Sequence, residues 1–308
     1  MLQNPTYLFV AASLLLSVGC TRSSDPSSAP TKLIVAVSVP PQVWLVEQVG
    51  GEHVEVLPLV QPSDDPHTYQ PSDAQVSRVM QADVYFRVGV PFESGAWFEA
   101  IRSSGKIPIV DTREGAALIP MQSHAHHEEA DDHGHDDDHE HHAGADPHIW
   151  LSPRLLRIQA GTIARTLADI DPARRAEYEG NLADLARRLD ELDAKIHALL
   201  DPLAGKAFFV FHPAWGYFAA EYGLEQIAVE IEGKQPSDAE LTELAQKARQ
   251  LGAKVIFVQP QITGRAAEAL ATAVGARVET LDPLAEDVAA NLLSAAEAIA
   301  HGAPGETE

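Results

Sequence analysis

Leu33-Ile34-Val35-Ala36-Val37-Ser38-Val39 carries one polar side chain in seven residues, and that unbroken apolarity decides the fold class. A strand with one face in water alternates apolar and polar residues, whereas a strand covered on both faces reads as a continuous apolar run. The stretch therefore predicts an interior strand with helices packed on both sides. Downstream, a helix is expected over 42–49, ending at Gly50-Gly51, then a strand over 53–57. Helix 74–81, strand 84–88, helix 92–103 and strand 107–111 continue the pattern. Alternation of this kind implies a parallel sheet, because parallel neighbours need a crossover and the helix supplies it.

Helix is expected again over 153–167, and Pro172 opens a much longer one from 173 to about 200. Its apolar residues Leu182, Leu185, Leu189, Leu192, Ile196 and Leu199 recur every three or four positions, and neither Gly nor Pro occurs from Asn181 onward. One stripe is therefore buried. At 1.5 Å per residue such a helix is about 40 Å long, more than one small domain needs, and it reads as a rigid connector. Beyond it the alternation resumes: strand 207–211, helix 214–222, strand 227–230, helix 238–251, strand 255–258, helix 265–274, strand 277–280 and a closing helix 284–300. The predicted architecture is α/β, two lobes each with a mostly parallel four-stranded sheet flanked by helices, joined by one long helix. The expected boundaries are an N-terminal lobe over 32–170, the linking helix over 171–201 and a C-terminal lobe over 202–308.

The chain has 308 residues, 45% of them hydrophobic, with 22 Lys and Arg against 45 Asp and Glu for a formal charge of −23. Two packed lobes of ordinary size are within reach of that length. Nucleic acid is an improbable partner for so acidic a chain. Cations are favoured by such a surface, although acidity more often serves solubility.

Much of the charge is concentrated in one place. Between Ser123 and Ala143 lie His124, His126, His127, His133, His135, His139, His141 and His142, interleaved with eight carboxylates. Imidazole nitrogen suits Zn, Cu, Ni and Co, and the carboxylates raise the local cation concentration. The run cannot bury apolar surface, so it is expected to be a disordered loop. Any three or four of its residues could chelate loosely, so it defines no single site and is read as an accessory, metal-collecting segment. Its plain alternative is a solvated acidic linker.

Residues 1–19 contain no charged side chain and include an apolar stretch over 7–18. That is too short to span a bilayer and has the form of a signal-peptide core, so 1–19 is expected to be an export signal. The single cysteine, Cys20, follows Ser17-Val18-Gly19, which resembles a bacterial lipobox in which the Cys becomes the lipidated first residue. The usual Leu three before it is Ser17, and the usual basic residue near the start is missing. Residues 20–31 are Ser/Pro-rich and read as a tether to a lipid anchor, the plain alternative being an ordinary free thiol at Cys20.

In open α/β sheets ligands bind at the carboxyl ends of strands. Three histidines and one aspartate stand at such places: His67 in Asp64-Asp65-Pro66-His67-Thr68-Tyr69, His148 in Asp146-Pro147-His148-Ile149-Trp150, His212 in Phe211-His212-Pro213-Ala214-Trp215, and Asp282 in Leu281-Asp282-Pro283-Leu284. Singly each has an ordinary reading, as helix cap, core histidine or turn residue. Together they make a set of three nitrogens and one oxygen, which Zn2+ takes at about 2.0–2.2 Å. A proline beside each restricts φ and lowers the entropy lost on binding. Three imidazoles and a carboxylate suit Zn2+ better than Mn2+, which prefers oxygen.

The blocks LIVAVSVPPQ, DPHTYQPS, DPHIWLSP, FHPAWGYFA, EIEGKQPS, VIFVQPQ and LDPL in combination resemble the metal-binding lipoproteins of bacterial ABC transporters for zinc and manganese. The resemblance covers nearly the whole chain after the tether. It implies an extracytoplasmic solute-binding protein, periplasmic or held at the cell envelope, which captures Zn2+ between two lobes as transported cargo. Its partners would be an ABC permease with its ATPase subunit and, through Cys20, a membrane leaflet; a monomer is expected. The first ligand falls on His67, the second on His148, the third on His212 and the fourth on Asp282. Manganese-type members usually carry Glu at the third position, so His212 argues for zinc. Zinc members do not use the acidic fourth ligand uniformly, water or another carboxylate taking its place. Glu230 and Glu232 are read as supporting acidic residues near the cleft. A manganese binder of the same importer type is the near alternative. A zinc hydrolase is the alternative of a different class, since three protein ligands and a water make a catalytic site, although no HExxH motif is present.

Overall fold

The computed structural model describes Met1 and residues 32–121, 144–230, 234–261 and 265–303. The predicted export signal, the tether with Cys20, the eight histidines of the acidic tract and Glu232 lie outside the described residues. The N-terminal half runs β1 (Leu33–Val37), α1 (Pro40–Gly50), β2 (Val54–Pro58), α2 (Asp73–Val79), β3 (Val84–Arg87), α3 (Ala96–Ser104) and β4 (Ile109–Asp111). Two long helices follow, α4 (Pro153–Ile170) and α5 (Arg175–Leu200). The C-terminal half runs β5 (Ala207–Val210), α6 (Gly216–Glu221), β6 (Glu225–Ala228), α7 (Asp238–Gln250), β7 (Val255–Val258), α8 (Arg265–Val274), β8 (Arg277–Thr280) and α9 (Val288–Gly302).

Two four-stranded parallel sheets result, ordered β2-β1-β3-β4 and β6-β5-β7-β8. In both the second strand of the half lies outside the first and the third lies on its other side, so the halves repeat one topology. The interior position predicted for 33–39 is realised: β1 is paired on both edges, and Val35, Ala36 and Val37 are fully buried. Immediately after it, Pro40 and Pro41 open α1, where a missing N–H costs nothing. The Gln42 side-chain oxygen accepts from the Ser38 and Val39 backbone N–H groups at 2.9 and 3.3 Å.

The central strand β5 shows how the C-terminal sheet is used. Phe208 and Val210 face one way, into a large core shared with α4, α5, α9 and the N-terminal half, while Phe209 faces the other, into a second core beneath α7 and α8. The predicted stripe on α5 is buried at Leu185, Leu189, Leu192 and Ile196, together with Tyr178 and Leu200, and packs on α1 and α4 at one side and α9 at the other. At 26 residues, α5 spans about 39 Å.

Several boundaries differ from expectation. The helix expected over 92–103 is a 3-10 turn, Pro91–Ser94, then α3, because Gly95 is extended at φ −72°, ψ 161°. The strand expected over 227–230 is β6, Glu225–Ala228; it is an edge strand, so its first residue can be charged and exposed. The closing helix starts at Val288 rather than 284, because the Asp287 side chain caps it by accepting from Ala290 N at 3.0 Å. No helix among the described residues is long and apolar enough to cross a membrane.

Candidate metal centre

His67 lies in the loop after β2, a loop braced from within. Asp65 Oδ1 accepts from the His67 N–H at 2.9 Å, Tyr69 Oη donates to the Leu59 carbonyl at 2.7 Å, and Gln75 Nε2 donates to the same carbonyl at 3.2 Å. The Tyr69 ring meets Phe92 edge-on at 5.2 Å between centroids. Phe92 belongs to the 3-10 turn whose neighbour Glu93 is buried and accepts from Val88 N at 2.9 Å, Gly89 N at 2.8 Å and Arg87 Nε at 3.0 Å. Gly89 has φ +86°, a conformation other residues rarely adopt. A chain of packed groups thus fixes the loop that presents His67.

His148 closes the segment that returns from the acidic tract. The neck of that tract is an antiparallel bridge between Pro120 and Ala145, with Met121 N donating to Gly144 O at 3.0 Å and Asp146 N to Ile119 O at 2.9 Å. Asp146 Oδ1 accepts from the His148 backbone N–H at 2.9 Å and lies 2.7 Å from its ring Nδ1. His212 follows β5 directly, and its Nδ1 stands 2.6 Å from Glu230 Oε1, just beyond β6. Both imidazoles and both carboxylates are buried.

A carboxylate can only accept, so Nδ1 carries the hydrogen in His148 and His212, and Nε2 is left with its lone pair. The His212 Nε2 is buried without a hydrogen-bond partner. His67, His148 and His212 each offer one nitrogen within 4.8 Å of the others, the one such group of three or more His, Cys, Asp or Glu among the described residues. Ring centroids are 4.5 Å apart for His67 and His212, 5.2 Å for His148 and His212, and 5.8 Å for His67 and His148. Tetrahedral zinc at about 2.1 Å holds its nitrogens about 3.4 Å apart, a spacing inside the 4.8 Å within which these three already lie.

Burial pushes the His67 imidazole down to about 3, with the nearby His212 and His148 adding to the shift. Burial also lowers His148, against the opposing pull of Asp146. Neutral imidazole is the form that binds metal. The carboxylates behind His148 and His212 lie where they orient the two rings and leave each Nε2 free of them.

Asp282 is not brought into the cluster. Its Oδ1 accepts from Leu284 N and from Gln261 Nε2, both at 2.9 Å. Glu230, expected to support the site, lies against His212 Nδ1. Asp146 carried no role in the sequence reading, yet the signal was visible: Asp-Pro-His occurs twice, at 65–67 and 146–148, and each Asp accepts from the N–H of its His. Gly216 was also missed. A Cβ there would stand 2.9 Å from Asp146 Oδ2, so glycine permits the close approach of α6 to that carboxylate.

Residues 35–300 match the family model described as zinc-uptake complex component A, periplasmic. The chain is 29% identical to the high-affinity zinc uptake system protein ZnuA of Bacillus subtilis, over 89% of this chain and 86% of that protein. A crystal structure of ZnuA aligns with TM-score 0.79 and 37% identity, over 88% of this chain and 99% of that one. A ZnuA deletion mutant with zinc bound aligns with TM-score 0.79 and 36% identity, over 90% of this chain and all of the other. With a repeated 2-1-3-4 sheet order, a long joining helix and a family match running from β1 into α9, the chain belongs to the family of periplasmic A components of zinc-uptake complexes.

Proposed function

We propose that this protein captures Zn2+ in the cleft between its lobes, on His67, His148 and His212, and delivers it to an ABC permease driven by its ATPase subunit. The observation that carries the reading is the buried His212 Nε2, which has no partner and is grouped with nitrogens of two other histidines, while buried Glu230 and Asp146 hold the far sides of two of the rings. An unsatisfied buried nitrogen costs free energy unless a ligand takes its lone pair. Three nitrogen donors favour Zn2+ over Mn2+. Asp282 is the proposed fourth ligand and would meet the metal through Oδ2, its Oδ1 staying on Gln261 Nε2 and Leu284 N. The protein acts outside the inner membrane, in the periplasm or at the envelope, with Cys20 acylated and the histidines over 124–142 as a metal-collecting segment. It transports metal and catalyses no reaction.

Calorimetry on the metal-free chain tests this. One tight Zn2+ equivalent is expected, retained when residues 124–142 are deleted and lost in His212→Ala. Disappearance of all tight binding with the deletion would overturn the assignment. Hydrolysis of esters or phosphates by the zinc-loaded protein would overturn the transport reading in favour of a zinc hydrolase.

A further inference from the structure

The three histidines are not attached to the molecule in the same way. His148 is reached through the N-terminal half, yet its segment is bonded to the C-terminal half on both sides. The Tyr217 hydroxyl on α6 donates to the Asp146 carbonyl at 2.9 Å. Trp150 Nε1 donates to the Pro283 carbonyl, beside Asp282, at 2.7 Å, and Ser152 Oγ donates to Glu221 on α6. His148 is thereby tied to the half that carries His212, as well as to α4, which packs on α1, through Gln159 Nε2 and the Ile149 carbonyl at 3.3 Å. His67 hangs on a loop whose bracing comes from the N-terminal half: Leu59, Asp65, Tyr69, Gln75 and Phe92.

Across the cleft that loop meets Gln261, in the connection after β7. Gln261 Nε2 donates to the Pro62 carbonyl at 2.9 Å and to Asp282 Oδ1 at 2.9 Å. Its two amide hydrogens are thus divided between the loop that carries His67 and the proposed fourth ligand. The Gln261 Oε1 is buried with no partner among the described residues, a cost that is relieved when the side chain swings out and that oxygen meets water. Two made bonds and one unmade one leave the tie close to balance between shut and open.

We infer that Gln261 is a positioning residue of the metal site, a latch that ties the His67 loop to Asp282 and sets how long the cargo is retained. This rests on the reading that the three histidines hold zinc. Release needs one nitrogen ligand to leave first, and His67 is the one whose bracing bonds all come from the N-terminal half. A tie between Pro62 and Asp282 opposes that first step. Entry of zinc onto His148 and His212 does not depend on it.

Zinc association and dissociation rates, measured by stopped flow against a chromogenic chelator on the full chain, separate the possibilities. Gln261→Met keeps the side-chain length and removes both donors; Gln261→Ala guards against a variant that fails to fold. Dissociation is expected to accelerate about tenfold, one step of about 1.4 kcal/mol, with association within about twofold of the parent. In an Asp282→Ala background the same change should have a smaller effect, because one end of the latch is already gone. Unchanged dissociation with one zinc still bound would overturn the latch. So would full additivity with Asp282→Ala, or a lowered metal-free melting temperature with both rates unaltered, which marks a structural role. Absence of one tight zinc from the parent protein would instead sink the metal-site reading.

Discussion

Replacing Glu230 by Gln isolates the charge behind His212 from its geometry. Glu230 Oε1 lies 2.6 Å from His212 Nδ1 and both side chains are buried. A glutamine oxygen can still accept the Nδ1 hydrogen, so the ring keeps its orientation and Nε2 still faces His67 and His148. What goes is one of two negative charges placed to balance a divalent cation. A carboxylate separated from zinc by an imidazole ring stands roughly 6.5 Å from it, and at an effective dielectric constant near 20 the attraction is about 5 kcal/mol. Solvation and relaxation offset part of this, and mutation of such outer carboxylates typically weakens metal binding about 10–100-fold, or about 1.4–2.7 kcal/mol. The expected result in a competition titration with a fluorescent chelator is therefore a 10–100-fold rise in the zinc Kd, as just estimated, with stoichiometry still one. Metal-free stability should hold or rise, because a buried carboxylate is costly when no cation is present. A zinc Kd within about twofold of the parent would refute the argument, since charge, unlike ring orientation, would then count for little at this site.

Acidity should act on the metal-free fold. His67 stays neutral in the folded protein down to about 3 against an ordinary value of 6.5, so between those values the unfolded chain binds more protons and stability is lost as pH falls. At pH 5 the loss is about 2 kcal/mol from His67, and His148 shifts in the same direction; a urea midpoint for metal-free protein that is equal at pH 7.5 and 5 would contradict this. Gly216→Ala places a methyl 2.9 Å from Asp146 Oδ2, and a calorimetric scan should show about 1–3 kcal/mol of destabilisation with weakened zinc binding; a neutral effect would mean that Asp146 is free to move. Trp150→Phe leaves the Pro283 carbonyl unpaired and should lower stability by about 1–3 kcal/mol in denaturant titration, whereas an unchanged midpoint would argue that water replaces the indole.

The parts of the fold legible in the sequence were those fixed by local pattern. Strand β7, Val255–Val258, and strand β8, Arg277–Thr280, lie at the predicted positions because each is a short run between Gly-containing turns and helices of clear periodicity. Errors fell where a single residue overrode the pattern, as Gly95 did within an apparent helix and Asp287 at the start of α9. At the site, the three histidines stood out because each is flanked by proline at the edge of a folded segment. Asp282 shared that signature and yet bonds Gln261 and Leu284, because a strand end sets which rim a residue occupies and not where its side chain points. Glu230 reaches His212 across a pair of neighbouring strands, and Gln261 reaches Pro62 across the cleft. Contacts of that kind depend on three-dimensional register, and no spacing along the chain encodes them.

The same sheet order in both halves places His67, His212 and Asp282 after the carboxyl ends of strands, but the halves do not hold the proposed ligands evenly. Trp150 and Tyr217 bind the His148 segment to the C-terminal half, so two imidazoles, each oriented by a buried carboxylate, form a fixed pair. His67 alone is braced entirely by the N-terminal half. A fixed pair keeps the entropy cost of capture low, because the rings are ordered before the metal arrives. A third ligand on a separate support lets the site be dismantled without disturbing that pair. Had all three rings been locked on one lobe, tight binding would have required slow release. Dividing them two and one allows retention to be set by the interlobe contacts, and a transport protein must be able to relax those contacts when it meets its permease.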